Sequence, residues 1–102
     1  MLLKKTKGVL KMYKVVLRNY GKSKGKMLFS CDYLETLNNY VYHKLTEKLV
    51  EFGIVDNDYQ YKDENDFIDI ERNNRLIVTL YGGADRNEVD RALWYIGNEK
   101  EN

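Results

Sequence analysis

The chain has 102 residues, is 43% hydrophobic and carries nine Tyr, three Phe and one Trp, enough for one modest core and too apolar for a disordered segment. Its formal charge of +1 hides a polarity: the nine charged residues of positions 1–31 are all basic, and the other eight basic residues face all 16 acids. Cys31, the single cysteine, excludes an internal disulfide, and lysines break every apolar run of MLLKKTKGVLKMYKVVL, which excludes a spanning stretch of roughly 20 residues there. A cytoplasmic protein is expected, with no membrane partner and no cofactor. Proline is absent while Lys, Asn and Tyr are abundant. Their codons are AT-rich, which points to a low-GC bacterium or one of its phages or mobile elements.

Residues 1–11 lack caps and alternate poorly, so they read as a flexible basic leader ahead of a single domain at 12–98, with 99–102 as a disordered tail. Tyr13 to Tyr20 is rich in β-branched and aromatic residues, and Met27-Leu28-Phe29 follows a loop of Gly21 to Gly25. This predicts a β-hairpin with a lysine-rich tip. Asp32 and Glu35 have capping-box spacing, and Gly53 stands where a glycine would end a helix. Between them Leu34, Leu37, Val41, Leu45, Leu49 and Phe52 recur every three or four residues, the stripe of one long amphipathic helix.

Residues 55–66 are acidic and turn-rich, and Tyr59 and Tyr61 alternate with polar residues in the pattern of a short edge strand. Phe67–Arg72 and Leu76–Tyr81 flank Asn73-Asn74 and predict a second hairpin. A two-residue loop would set Arg72 opposite Arg75 and Asp69 opposite Val78. A three-residue loop instead pairs Ile70 with Val78, Ile68 with Leu80 and Asp69 with Thr79, which keeps the faces distinct and is the expected register. Gly82-Gly83 breaks that strand, and Asp85 with Glu88 repeats the cap spacing before Val89, Ala92, Leu93 and Ile96, with Gly97 as a stop. The expected fold is α+β: a two-layer structure with four or five antiparallel strands and two helices on one face, in the order β-β-α-(β)-β-β-α.

Few residues suggest chemistry. His43 beside Glu47 on a helix suggests a base, and Cys31 ahead of a helix suggests an activated thiol. The commoner roles of such residues, a solvated helix flank and a small apolar filler, are preferred here, so no catalytic residue is assigned and no enzyme expected. The acids of residues 56–66 do not fit a calcium loop, since Tyr61 occupies the glycine position and Phe67 the glutamate position, and no metal site is expected.

Two binding surfaces remain. Asp56, Asp58, Tyr59, Tyr61, Asp63, Glu64 and Asp66 form an acidic, aromatic loop suited to imitating phosphates and occupying a basic groove on a partner. The expected function is therefore a small protein-binding domain of a phage or mobile element that inhibits a host protein by occlusion, the host protein being one that processes nucleic acid. The alternative is a nucleic-acid-binding module in which Lys14, Arg18, Lys22, Lys24 and Lys26 of the basic hairpin track a phosphate backbone while Tyr20 stacks a base.

Overall fold

The computed structural model describes residues 12–82 and 85–98. The expected leader, the tail and the Gly83 part of the strand break lie outside them. Strands β1 (Tyr13–Asn19), β2 (Lys26–Cys31), β3 (Asp66–Arg72) and β4 (Arg75–Leu80) form one antiparallel sheet in the order β2-β1-β3-β4. A helical rod, α1 (Leu34–Asn39), a π-helical stretch (Tyr40–Lys44) and α2 (Leu45–Glu51), joins the two hairpins, and α3 (Arg86–Asn98) follows β4. This is the α+β architecture expected. The acidic segment supplies an isolated bridge, Val55 with Tyr61, in place of a fifth strand.

Strand alternation sorts the residues between two faces. Tyr13 and Val15 of β1, Ile68 and Ile70 of β3 and Leu80 of β4 are buried beneath Leu37, Tyr40, Val41, Leu45 and Leu49 of the rod and Val89, Ala92 and Ile96 of α3. Both helices therefore cover one side. The opposite side, carrying Lys14, Val16 and Arg18 of β1, Phe67, Asp69 and Glu71 of β3 and Thr79 of β4, has no helix over it among the described residues.

The rod is one helix with a π segment, for a reason visible in its spacing. Leu37, Val41, Leu45 and Leu49 are four apart throughout. In a straight α-helix of about 100° per residue that row drifts by about 120° around the axis. At the π stretch the Leu45 N–H bonds back to the carbonyl of Tyr40, five residues earlier, and the wider turn absorbs the drift. All four side chains end up buried.

The rod starts at an Ncap, Tyr33, that makes no side-chain capping bond, so the expected Asp32–Glu35 box is not formed. Asp32 lies one residue too early for it. The other end matches expectation. Gly53 adopts a φ of 73°, its N–H bonds to Val50 O at 3.0 Å and the Ile54 N–H to Leu49 O at 2.8 Å, a Schellman closure. At α3, the Asn87 N–H bonds to Asp85 Oδ1 at 2.9 Å, as an N-cap requires. Glu88 does not complete a box. Its carboxylate takes the N–H groups of Tyr81 and Gly82 instead, fixing the strand-to-helix turn. The helix continues past the expected stop at Gly97 to Asn98.

The second hairpin combines the two loops weighed from sequence. Asn73 and Asn74, at φ 53° and 68°, make a two-residue turn that sets Arg72 opposite Arg75. A bulge at Ile77 then restores Ile70 opposite Val78, Asp69 opposite Thr79 and Ile68 opposite Leu80. Core burial thus dictates the register, and the bulge reconciles it with the tight turn.

Two glycine substitutions should move stability in opposite directions. Gly53→Ala forces a side chain into a left-handed conformation and should cost about 1 kcal/mol. Gly97 lies within α3 with nothing inside 4 Å of an added Cβ, so Gly97→Ala should stabilise by about 0.5 kcal/mol. Urea denaturation midpoints measure both; equal effects would contradict the assigned backbone conformations.

Candidate functional site

The candidate site grows from Asn19, the last residue of β1 and, at 9% exposure, one of the two buried polar residues among those described. A carboxamide taken out of water needs its donors and acceptor satisfied. Asn19 Nδ2 donates to Asp63 Oδ2 at 2.9 Å and to Asp66 Oδ1 at 2.7 Å, while its Oδ1 accepts the Gly21 N–H at 2.8 Å. The Tyr20 N–H adds a bond to Asn65 O at 3.0 Å, and the Lys22 N–H one to Asn19 O at 3.0 Å. One side chain therefore staples the lysine-rich tip to the acidic loop. The two surfaces that looked separate in sequence are neighbours.

Within the acidic loop, several of the expected binding residues have structural work. Asp56 Oδ1 accepts the N–H groups of Asp58 at 2.8 Å and Gln60 at 3.0 Å; these bonds, Gln60 first, hold its carboxyl below the usual range. The tight loop they make places Tyr59 at a φ of 63°. The Asp63 carboxyl is lowered mainly by the Asn65 N–H, then by Asn19, with a smaller contribution from Lys22. Tyr61 is half-buried against the core and donates its hydroxyl to Leu80 O at 3.4 Å, and burial raises its phenol well above the ordinary range. Of the seven residues, Asp58, Tyr59 and Glu64 remain exposed without such a role.

The basic residues divide as well. Lys14 reaches Asn74 Oδ1 at 3.0 Å, at the opposite end of β1 from the tip. Arg18 is spent on the helix-free face: its Nε donates to Asp69 Oδ2 at 3.0 Å and its Nη2 to Glu71 Oε2 at 2.8 Å. Asp69, 8% exposed, also accepts the Thr79 hydroxyl at 2.6 Å. Lys22, Lys24 and Lys26 stay exposed and, with Arg18, line a shallow 210 Å³ cleft that has Asp66 in its wall.

Next to this junction lies a feature of a different kind. Tyr20, Phe67 and Tyr81 cluster at one end of the helix-free face, with ring centroids 4.5 Å apart for Tyr20–Phe67 and 6.0 Å for Phe67–Tyr81. The Tyr20 and Tyr81 hydroxyls are 3.4 Å apart, and that contact raises the Tyr20 phenol. Their exposures of 65% and 59% mean that most of both rings meets solvent. Sequence reasoning found only Tyr20. The signal for the rest was the hairpin register: pairing Asp69 with Thr79 and stepping two residues along places Phe67 opposite Tyr81.

The two chemical candidates are not assembled into machinery among the described residues. The His43 ring packs edge-on to Tyr42, with no hydrogen bond to Glu47. Burial raises the Cys31 thiol, the opposite of activation. Among these residues no group of three or more His, Cys, Asp or Glu is arranged to hold a metal, and no helix is long and apolar enough to cross a membrane. Comparison with protein families, curated proteins and solved structures finds no match to this chain.

The lowered carboxyls at Asp56 and Asp63 fix the sign of an acid dependence. Each stabilises the folded state fully above its ordinary value of 3.8 and loses that contribution as pH falls through its lower folded value. Stability should therefore decline below about pH 4. In Asp56→Asn and Asp63→Asn the slope of unfolding free energy against pH should flatten in that window; an unchanged slope would show that these bonds do not hold the loop.

Proposed function

We propose that this chain is a protein-binding domain that occupies a partner's surface with the helix-free face of its sheet, anchored by Tyr20, Phe67 and Tyr81. The exposed ring cluster is the observation that carries the reading. Contacting aromatic side chains, pre-ordered by each other and rimmed by polar groups, match the anatomy of an interface centre: large apolar area, little freedom to lose and a hydroxyl at each outer ring. Lys22, Lys24 and Glu64 supply exposed polar groups on the tip and on the part of the loop that Asn19 joins beside it. Their mixed signs suit a partner that presents both charges rather than a single-sign groove. The more specific form of the reading, a phage or mobile-element product that inhibits a host protein by occlusion, draws its support from coding bias and small size.

The second reading, nucleic-acid binding, is favoured by one observation, the convergence of Lys22, Lys24, Lys26 and Arg18 around one cleft. The two readings differ in their response to salt. Phosphate-tracking lysines lose affinity steeply as salt rises, whereas an apolar anchor does not.

Immobilised chain exposed to host-cell lysate should retain a specific protein through a 0.5 M salt wash, a concentration chosen because screening lengths there fall well below about 10 Å. Tyr20→Ala combined with Tyr81→Ala should reduce retention about 30-fold or more, the loss of a hot-spot contact. Lys22→Glu combined with Lys24→Glu should leave it nearly unchanged. Recovery of nucleic acid alone, released by salt and abolished by the lysine changes, would overturn the first reading in favour of the second.

A further inference from the structure

The charges around Tyr20, Phe67 and Tyr81 are uneven. On the β3–β4 side of the cluster stand four carboxylates: Asp66 next to Phe67, Asp69 and Glu71 further along the same strand, and Glu88, which takes the Tyr81 and Gly82 N–H groups. Each keeps its negative charge while it accepts hydrogen bonds. Among the described residues two guanidiniums answer them there: Arg18, which reaches Asp69 and Glu71 from β1, and Arg91, which shares a groove wall with Glu88. Arg72 and Arg75 lie at the turn end of the same strands, opposite each other. The tip lysines are on the other side, in the loop between β1 and β2 and at its end. The rings therefore border an excess of negative charge. Asp69 acts on them directly: the Tyr20 phenol is raised first by its hydrogen bond to Tyr81, and the Asp69 carboxylate adds to that rise.

Resting on the proposed use of this cluster as a protein contact, we infer that its occupant is an arginine side chain of the partner, laid across the exposed rings of Tyr20 and Tyr81. The face of an aromatic ring is itself negative and attracts a cation placed over it. Most of the Tyr20 and Tyr81 ring area meets solvent and is open to such a contact. Tyr20 gives its hydroxyl proton to Tyr81, which leaves the Tyr20 lone pairs as acceptors for an N–H. A guanidinium suits all three features, because it is flat, weakly hydrated and always charged, stacks on rings and donates from its rim. The chain makes this contact once within itself, where the Arg86 guanidinium carbon lies 4.2 Å from the Tyr42 ring centroid. Arg18 does not fill the place, since its guanidinium is turned to Asp69 and Glu71. A partner carboxylate would meet the excess of acids, and an aliphatic side chain would leave that charge unanswered.

The test selects random linear peptides on the folded chain. Enriched peptides should contain arginine and should shift the ring resonances of Tyr20, Phe67 and Tyr81. Replacing that arginine with citrulline, which has nearly the same shape without the charge, should weaken binding about tenfold. On the chain, Tyr20→Phe should retain most of the affinity, whereas Tyr20→Leu, which keeps apolar area but has no ring face, should lose about fivefold. A selection that does not enrich arginine would overturn the inference. So would binders that tolerate citrulline, or arginine peptides that leave the three rings unshifted. Each of these outcomes leaves the protein-contact reading standing; that reading falls separately, if the chain with Tyr20→Ala and Tyr81→Ala retains the lysate protein as well as the unaltered chain does.

Discussion

The helix-free face of the sheet is held by a cross-strand charge network centred on Arg18. A carboxylate that is nearly out of water, as Asp69 is, must be paired or hydrogen-bonded to remain charged. Arg18 from β1 answers Asp69 and Glu71 of neighbouring β3, and Thr79 of β4 gives Asp69 a second donor, so one network ties together three of the four strands. Because Arg18 stays partly solvated, the network is worth less as net stability than as a device that fixes which residues face each other. It keeps Phe67 on the helix-free side, and hence the aromatic cluster. The opposite face is fixed by burial under the helical rod and α3.

The same logic explains why strong charge segregation in the chain does not become two separate poles. Asn19 joins the lysine tip to the acidic loop, Arg18 is neutralised in place, and Asp56 and Asp63 are engaged by backbone N–H groups of their own loop. What remains exposed near the aromatic cluster is a short set of groups of both signs. An apolar centre with a mixed polar rim is a surface for another protein more than for a uniformly charged polymer.

Much of the fold was legible in the sequence because its signals were local or periodic. Alternation announced the strands, the heptad-like leucines the rod, and Gly53 its end. The π stretch was written in the fourfold spacing of Leu37, Val41, Leu45 and Leu49, but its meaning depends on knowing that all four must face one sheet. The tight turn at Asn73-Asn74 and the favoured core register compete in the sequence, and a bulge at Ile77 lets both hold. The candidate site was less legible for a physical reason. Tyr20, Phe67 and Tyr81 come from three separate parts of the chain, and whether Asp63 or Arg18 is a free charge depends on partners 44 and 51 residues away.

The central claim is that Tyr20 and Tyr81 form the contact surface, and tyrosine oxidation footprinting reads it most directly. Hydroxyl-radical labelling of the chain alone is compared with labelling in host lysate, with Tyr33 and Tyr59 as exposed reference residues. Selective protection of Tyr20 and Tyr81 in the lysate, with Tyr33 and Tyr59 unchanged, is the predicted result. Protection confined to Tyr59, or Tyr20 and Tyr81 labelled equally in both settings, would contradict the account.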